Sequence, residues 1–445
     1  MAAATAAADR RGLGGKVLEL SELMCGGLDI FSRPTVDTSI TSGKTVIHHL
    51  NTAINPNTTV FEFVIPSENH EYIHLPMTRL EGEIQVLKND GTDIVAADNV
   101  SLANQLATTL WKQVECEVNG VQVADLTSPT YHYKAFLEHE LTYCTDVKET
   151  ASRCLLYYPD NVAGDENLAT GTGLIERKTW ITVKNGSLVF STPLFIDFFS
   201  SVKYLIPGAV IKLRFIRNDN SMCFIAPENN YKVVVKSLTL ATRKLTIHPQ
   251  IVEEHRRGLQ TMPAYYELTQ SKIKTYGIAQ GLSSTTLSGI FMGKLPRSCL
   301  IGFVQSEAFN GAIATSPFRF RHFEVNYVGL TVNGIPTPST AFQPDFTGNR
   351  CIREYRHFLD HVGVGTDNLG FNVNYMKWMH QTALFAFDFS PDLCNNFHDH
   401  PDNSGYVSLD LRFVNPLPTN VTVIIYATYN EALLIDKDGN VTLQQ

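Results

Sequence analysis

The sequence predicts an all-β chain folded as two similar sandwiches in tandem, and three observations lead there. First, Tyr133-Lys134-Ala135-Phe136-Leu137-Glu138-His139 returns 222 residues later as Tyr355-Arg356-His357-Phe358-Leu359-Asp360-His361, half the length of a 445-residue chain. Other pairs follow in the same order: Val118-Asn119-Gly120 with Val332-Asn333-Gly334, Leu213-Arg214-Phe215-Ile216 with Leu411-Arg412-Phe413-Val414, and, more loosely, Leu194 to Phe198 with Phe385 to Phe389. Second, apolar and polar residues alternate, as where Leu80, Gly82, Ile84 and Val86 interleave with Glu81, Glu83 and Gln85, the period of a strand with one wet face. Third, Asp90-Gly91, Asn119-Gly120, Asn185-Gly186, Asn333-Gly334 and Asp438-Gly439 offer the positive φ angles of tight hairpins.

Taken in order, residues 1–27 are Ala- and Gly-rich and read as a flexible arm with a short helix near Val17 to Met24. The first sandwich is expected over 28–245, a linker over 246–265 and the second sandwich over 266–445. Thr59 to Ile65 is a compact apolar run. Ser101 can cap a segment with Leu102, Leu106 and Leu110 on one face, leading into the strand Val114, Cys116, Val118. Tyr133, Phe136 and Leu137, like Tyr355, Phe358 and Leu359, have the i, i+3, i+4 spacing of a short amphipathic helix, each expected to pack on its own sandwich. Gln250 to Leu259 reads as a polar linker helix or loop. Stretches 145–178, 335–350 and 390–405 lack strong periodicity and read as outward loops. Phe318 and Phe320 alternate with Arg319 and Arg321, and Val421, Val423 and Ile425 form the last core strand.

Composition narrows the function. Charged residues make up 18% and hydrophobic residues 44%, with 25 Phe and 17 Tyr, which suits strands and extensive subunit contacts. A net charge of −8 argues against a general nucleic-acid binder, because phosphate binding needs a positive field, and no specific nucleic-acid binding is expected. The eight cysteines form no C-x-x-C pair and read as reduced thiols of the cytosol or nucleus. No signal-peptide stretch and no 18-residue apolar run occur, so neither secretion by the usual route nor a membrane span is expected. Five Asn-x-Ser/Thr sequons then carry no weight.

Two sandwiches of eight or so strands, each with a short helix between strands, resemble the double jelly-roll major capsid (hexon-like) proteins of Polinton/Maverick elements and adintoviruses. The resemblance rests on Leu28-Asp29-Ile30-Phe31 with Pro34 and Thr35, on Thr38-Ser39-Ile40, and on the block from Ser101 to Tyr143. It implies two tandem jelly rolls and a homotrimer whose six similar units form a pseudo-hexameric capsomer. It further implies neighbouring capsomers, penton and minor capsid proteins as partners, in a virion assembled in the nucleus or cytoplasm. Met24-Cys25-Gly26-Gly27 before Leu28 has the form cut by adenovirus-type maturation proteases, at the junction of arm and body.

The search for chemistry predicts no enzyme, no cofactor and no metal. There is no G-x-S-x-G elbow, no Walker A loop and no complete G-x-G-x-x-G. His398-Asp399-His400 with Asp402 reads as a solvated loop, and Asp436-Lys437-Asp438-Gly439-Asn440 as a hairpin turn, since the acid that a calcium loop needs falls at Gln445. His139 and His361 are expected to cap or hydrogen-bond at a helix end. Arg319 and Arg321 either meet acids of a neighbouring subunit or form a wet face. A tandem β-sandwich carbohydrate-binding protein and a minor capsid protein stand as alternatives; three separated Trp disfavour the former.

Overall fold

The computed structural model describes residues 37–444 apart from 69, 125–128, 163, 184, 365–370, 391–400 and 402. Contacts separate residues 1–40 from 41–445, and the sandwiches lie in the second unit. The arm 1–27, Gly26, Gly27 and Leu28, and His398, Asp399, His400 and Asp402 lie outside the described residues.

The first half holds β1 (Ile40–His49), β2 (Val60–Ile65), β3 (Glu71–Lys88), β4 (Ser101–Leu102), β5 (Trp111–Val118) and β6 (Val121–Gln122), then helices α1 (Tyr131–Thr142) and α2 (Thr172–Val183). It continues through β7 (Ser187–Pro193), β8 (Ile211–Arg217), β9 (Phe224–Ile225) and β10 (Tyr231–Ile247), and α3 (Pro249–Gly258) follows. The second half holds β11 (Ala264–Ile278), β12 (Ser284–Lys294), β13 (Ser298–Gln305), β14 (Val325–Val332) and β15 (Ile335–Pro336). Next come α4 (Ile352–Val362), α5 (Tyr375–His380), β16 (Leu384–Asp388), β17 (Ser404–Phe413), β18 (Val421–Ile435) and β19 (Val441–Gln444).

The sheets pair as β1-β10-β3-β7 with β2-β8-β5-β6, and as β11-β18-β13-β16 with β12-β17-β14-β15. The second pair repeats the first strand for strand. Leaving aside the short β4–β9 pair and β19, which adds to β18, each half has eight strands passing between two antiparallel sheets so that the first pairs the eighth, the second the seventh and the third the sixth. That is a jelly roll made twice, as the sequence predicts.

Alternation builds the strands. In β17, Val407, Leu409, Leu411 and Phe413 are buried while Ser408, Asp410 and Arg412 are not, so one face joins the core and the other stays wet. β18 is buried along nearly its whole length: Val421, Val423, Ile425 and Ala427 join the second core on one face, and on the other Tyr426 meets Glu138 of α1. Asn119-Gly120 and Asn333-Gly334 both take positive φ at each residue, 48° and 82°, then 51° and 81°, the type I′ pattern that matches strand twist.

Asp438-Gly439 forms the turn of the β18–β19 hairpin, while the other two pairs differ from expectation. At Asp90-Gly91 only the glycine has positive φ, and the Gly91 N–H closes a loop onto the Lys88 carbonyl at 2.9 Å. Asn185-Gly186 joins no two strands but ends α2, its Gly186 N–H donating to the Ile181 carbonyl at 2.7 Å. Ser101 caps no helix; it sits in β4, and its hydroxyl donates to the Leu174 carbonyl at 2.7 Å.

The stretch 145–178 is also more ordered than its pattern suggests. It holds helical turns at Thr145–Glu149 and Ala151–Leu155 and the start of α2. Arg177 explains part of this. Buried at 1% exposure, it donates to the carbonyls of Leu102 at 2.8 Å and Tyr158 at 3.0 Å and pairs with Asp160 at 3.0 Å. A segment organised by a buried guanidinium carries no apolar period to read.

Each half has a hydrophobic core, and each core borrows from the other half. Tyr266, Leu268, Leu433, Ile435 and Val441 join the first core, while Tyr133, Phe136 and Leu137 join the second.

Candidate functional site at the seam of the sandwiches

The seam is built around α1, a helix with two apolar faces. Tyr131 and Ala135, four residues apart, enter the first core; Tyr133, Phe136 and Leu137 point the other way. Phe136 stacks on Phe318 with centroids 4.4 Å apart, and Tyr133 lies 5.4 Å from Phe309. The expectation that each repeated helix packs on its own sandwich therefore fails for the first copy. It holds for α4, where Phe358 is fully buried and Tyr355 lies 5.7 Å from Trp378, its hydroxyl donating to the Val373 carbonyl at 2.9 Å. Leu359 is only partly buried against that core. The physical reason is α5 and Phe371, which cover in the second half the face that the other sandwich covers in the first.

Three ionic groups cross this seam. In one, Lys134 pairs with Asp197 at 2.6 Å and Glu138 at 3.6 Å, and Asp197 accepts the Ser271 N–H of β11 at 3.0 Å. The Tyr426 hydroxyl of β18 donates to Ser271 Oγ at 2.8 Å. Burial pushes the Glu138 carboxyl up to about 8 against the pull of Lys134.

In the second, Glu140 holds Lys377 of α5 at 2.5 Å and Lys148 at 3.3 Å, and accepts the Tyr157 hydroxyl at 3.1 Å. Lys148 also donates to the Glu140 carbonyl and to Asn372 Oδ1, both at 2.7 Å. Burial would raise the Glu140 carboxyl, but the charges of Lys377 and Lys148 outweigh it and hold the group well below the usual range. His139 beside it makes the hydrogen bond expected of it, to Ser152 Oγ at 2.7 Å, and burial pushes its imidazole down to about 3.

In the third, Glu166 takes Arg319 and Arg321, each at 2.6 Å. The acid that these arginines meet is thus in the same chain. Burial pushes neighbouring Asp165 up to about 6.

A cavity of about 440 Å³ opens at the seam, lined by Thr78, Arg79, Glu138, Asp197, Thr269 and Tyr426 among others. Its two acids are both paired with Lys134, and Arg79 donates to the Pro76 and Thr78 carbonyls at 2.7 and 2.9 Å. Among the described residues no three His, Cys, Asp or Glu side chains are grouped to hold a metal ion, and no helix is long and apolar enough to cross a membrane. Asp436 closes its own turn, accepting from the N–H groups of Asp438 at 2.9 Å and Asn440 at 2.8 Å. Cys116, Cys144, Cys154, Cys223, Cys299 and Cys351 are free thiols.

Paired jelly rolls in one chain, locked by a shared helix, define the double jelly-roll fold. Solved structures similar to this chain include major capsid proteins of viruses. A chain of the Sputnik virophage structure aligns over 98% of this chain and 94% of its own length, with 13% identity and a TM-score of 0.62. The Faustovirus major capsid protein aligns over 94% of both, with 8% identity and a TM-score of 0.57. The mavirus major capsid protein covers 97% and 96%, with 10% identity and a TM-score of 0.52. In sequence, the chain is 21% identical to the uncharacterized protein F54H12.2 of Caenorhabditis elegans over 417 residues, 91% of this chain and 97% of that one. No protein-family model matches.

Proposed function

We propose that the chain is a major capsid protein whose trimers form pseudo-hexameric capsomers of an icosahedral viral or virus-like transposon shell. The observation that carries this reading is the strand-for-strand repeat within one interlocked body. Three such chains present six similar sandwiches around a threefold axis, a unit that tiles a shell as a hexamer would. The likeness in fold to the Faustovirus and mavirus major capsid proteins supports it. The Polinton or adintovirus type belongs to the same reading, on the resemblance carried by the block from Ser101 to Tyr143.

The division into 28–245, a linker 246–265 and 266–445 belongs to this reading, supported by α3 lying between β10 and β11. So do cleavage between Gly27 and Leu28, contacts with neighbouring capsomers and with penton and minor capsid proteins, and a place in the virion. Light scattering on the purified chain tests the core of it: the expected mass is three times 49.6 kDa, with hexagonal outlines in negative stain. A monomer at every concentration overturns it. Deleting residues 2–20 is expected to leave trimers intact and impair shell formation.

A further inference from the structure

Strand β3 is interrupted where the two sandwiches meet, and the interrupted stretch walls the seam cavity. Along β10, Ala241 pairs Arg79 and Arg243 pairs His74, so Thr242 alone stands across from Leu75, Pro76, Met77 and Thr78. On the other side, the pairing of β3 with β7 ends at Arg79 and Pro193. Proline has no N–H to give a sheet, and the bulge around Pro76 leaves strand carbonyls without strand partners. Arg79 takes two of them, its Nη1 donating to Pro76 at 2.7 Å and to Thr78 at 2.9 Å. Bulges of this kind re-aim side chains beside functional sites.

Both Nη1 hydrogens of Arg79 are thereby used. Nε and Nη2 remain, the edge of a guanidinium that holds a carboxylate by two parallel bonds. No acid occupies that edge among the described residues, since Glu138 and Asp197, the acids of the cavity wall, both pair with Lys134. The charge of Arg79 reaches the Tyr143 hydroxyl in the same wall, and burial raises that hydroxyl's pKa, so it stays protonated and able to donate. Much of the remaining wall is apolar: Leu75, Leu194, Phe195 and Phe199 line it and are buried. Thr142, Ser200 and Thr269 are exposed and stand at its mouth. A volume of about 440 Å³ lies within the range of small-molecule sites, roughly 300–1,000 Å³.

We propose that this cavity binds a small carboxylic acid with an apolar body, the carboxylate held by the Nε–Nη2 edge of Arg79 and the Tyr143 hydroxyl, the body against Leu75 and Phe199. Leu75, Arg79 and Phe199 belong to the first sandwich, whereas Thr269, Ser271 and Tyr426 belong to the second. An occupied cavity is therefore a joint between the two, and its ligand favours the closed seam by mass action. The site lies within one chain and stands whether or not the shell reading does.

The full chain is titrated with phenylpropionate by calorimetry, against phenylpropanol, which has the same body without the charge. Wild type is expected to bind one phenylpropionate per chain and to melt at a higher temperature with it. Phenylpropanol on wild type, and phenylpropionate on Arg79→Gln, are expected to bind roughly 10- to 100-fold more weakly, the scale of hydrogen bonds to charged groups. Thr269→Trp, at the exposed mouth, is expected to abolish binding and leave the melt of the free chain unchanged. Absence of saturable binding at millimolar phenylpropionate overturns the proposal, as does equal binding of phenylpropanol. An Arg79→Gln chain that binds like wild type overturns the assigned carboxylate edge and with it the ligand class. Should Arg79→Gln unfold, Thr269→Trp decides: binding at wild-type strength puts the ligand elsewhere and overturns the site.

Discussion

Glu140 and Lys377 come from opposite sandwiches, 237 positions apart, and meet at 2.5 Å where the carboxylate is only 2% exposed. With Lys148 on its other side, Glu140 sets one negative charge against two positive ones inside the seam. Removing the acid leaves two buried cations unpaired.

Glu140→Gln is therefore expected to destabilise the chain by about 3–5 kcal/mol, while a triple replacement of Glu140, Lys148 and Lys377 by apolar residues of similar volume recovers much of the loss. Urea denaturation checks both. A shift below about 1 kcal/mol in Glu140→Gln would show that water reaches the cluster.

Phe136→Ala and Phe358→Ala are each expected to cost about 3–5 kcal/mol, because both rings are buried, but they should differ in kind. Phe358 lies within one sandwich; Phe136 ties the two together through Phe318. Calorimetry is expected to show one transition for Phe358→Ala and two for Phe136→Ala. A single transition in both means that the sandwiches are coupled mainly elsewhere.

Stability is expected to fall on both sides of an optimum in pH. The His139 imidazole is held at about 3 by burial against 6.5 unfolded, so the unfolded chain binds the extra proton between these values. Its contribution is full above about 6.5 and is lost on acidification, by about 1.4 kcal/mol per pH unit. Glu138 has the opposite sign: raised by burial to about 8, it favours the folded state below its unfolded value near 4.5, and that share is lost as pH rises towards 8. His139→Gln should flatten the acid limb and Glu138→Gln the alkaline limb of the urea midpoint against pH. Unchanged limbs would remove these groups as the cause.

Asn119→Ala and Asn333→Ala both place alanine at positive φ, a strain of about 1–2 kcal/mol. Only Asn119 also gives up a bond to Gly439, so in the unassembled chain its replacement should cost about 1 kcal/mol more. Equal costs would mean that the bond to Gly439 contributes nothing.

Much of the fold is legible because it rests on short-range rules. Strand alternation in Val407 to Phe413 and the Asn-Gly pairs at 119 and 333 are local signals, and the repeat carries them twice. The seam is less legible for a physical reason. The spacing of Tyr133, Phe136 and Leu137 says which side of a helix is apolar, not which of two apolar surfaces meets it. Arg319 and Arg321 show only that a strand carries cations; their acid, Glu166, is about 150 positions earlier. Arg177 and Lys148, both buried, stabilise a stretch that charge patterning reads as solvated.

The traded core residues also govern how the chain is made. A first half emerging from the ribosome carries Tyr133, Phe136 and Leu137 with no partner yet synthesised, and its own core lacks Leu433, Ile435 and Val441. Closure of the first sandwich must wait until nearly the whole chain has been translated. During that interval its apolar surface is open to association with other nascent chains, so synthesis of the first half alone should yield aggregate where the full chain yields soluble protein.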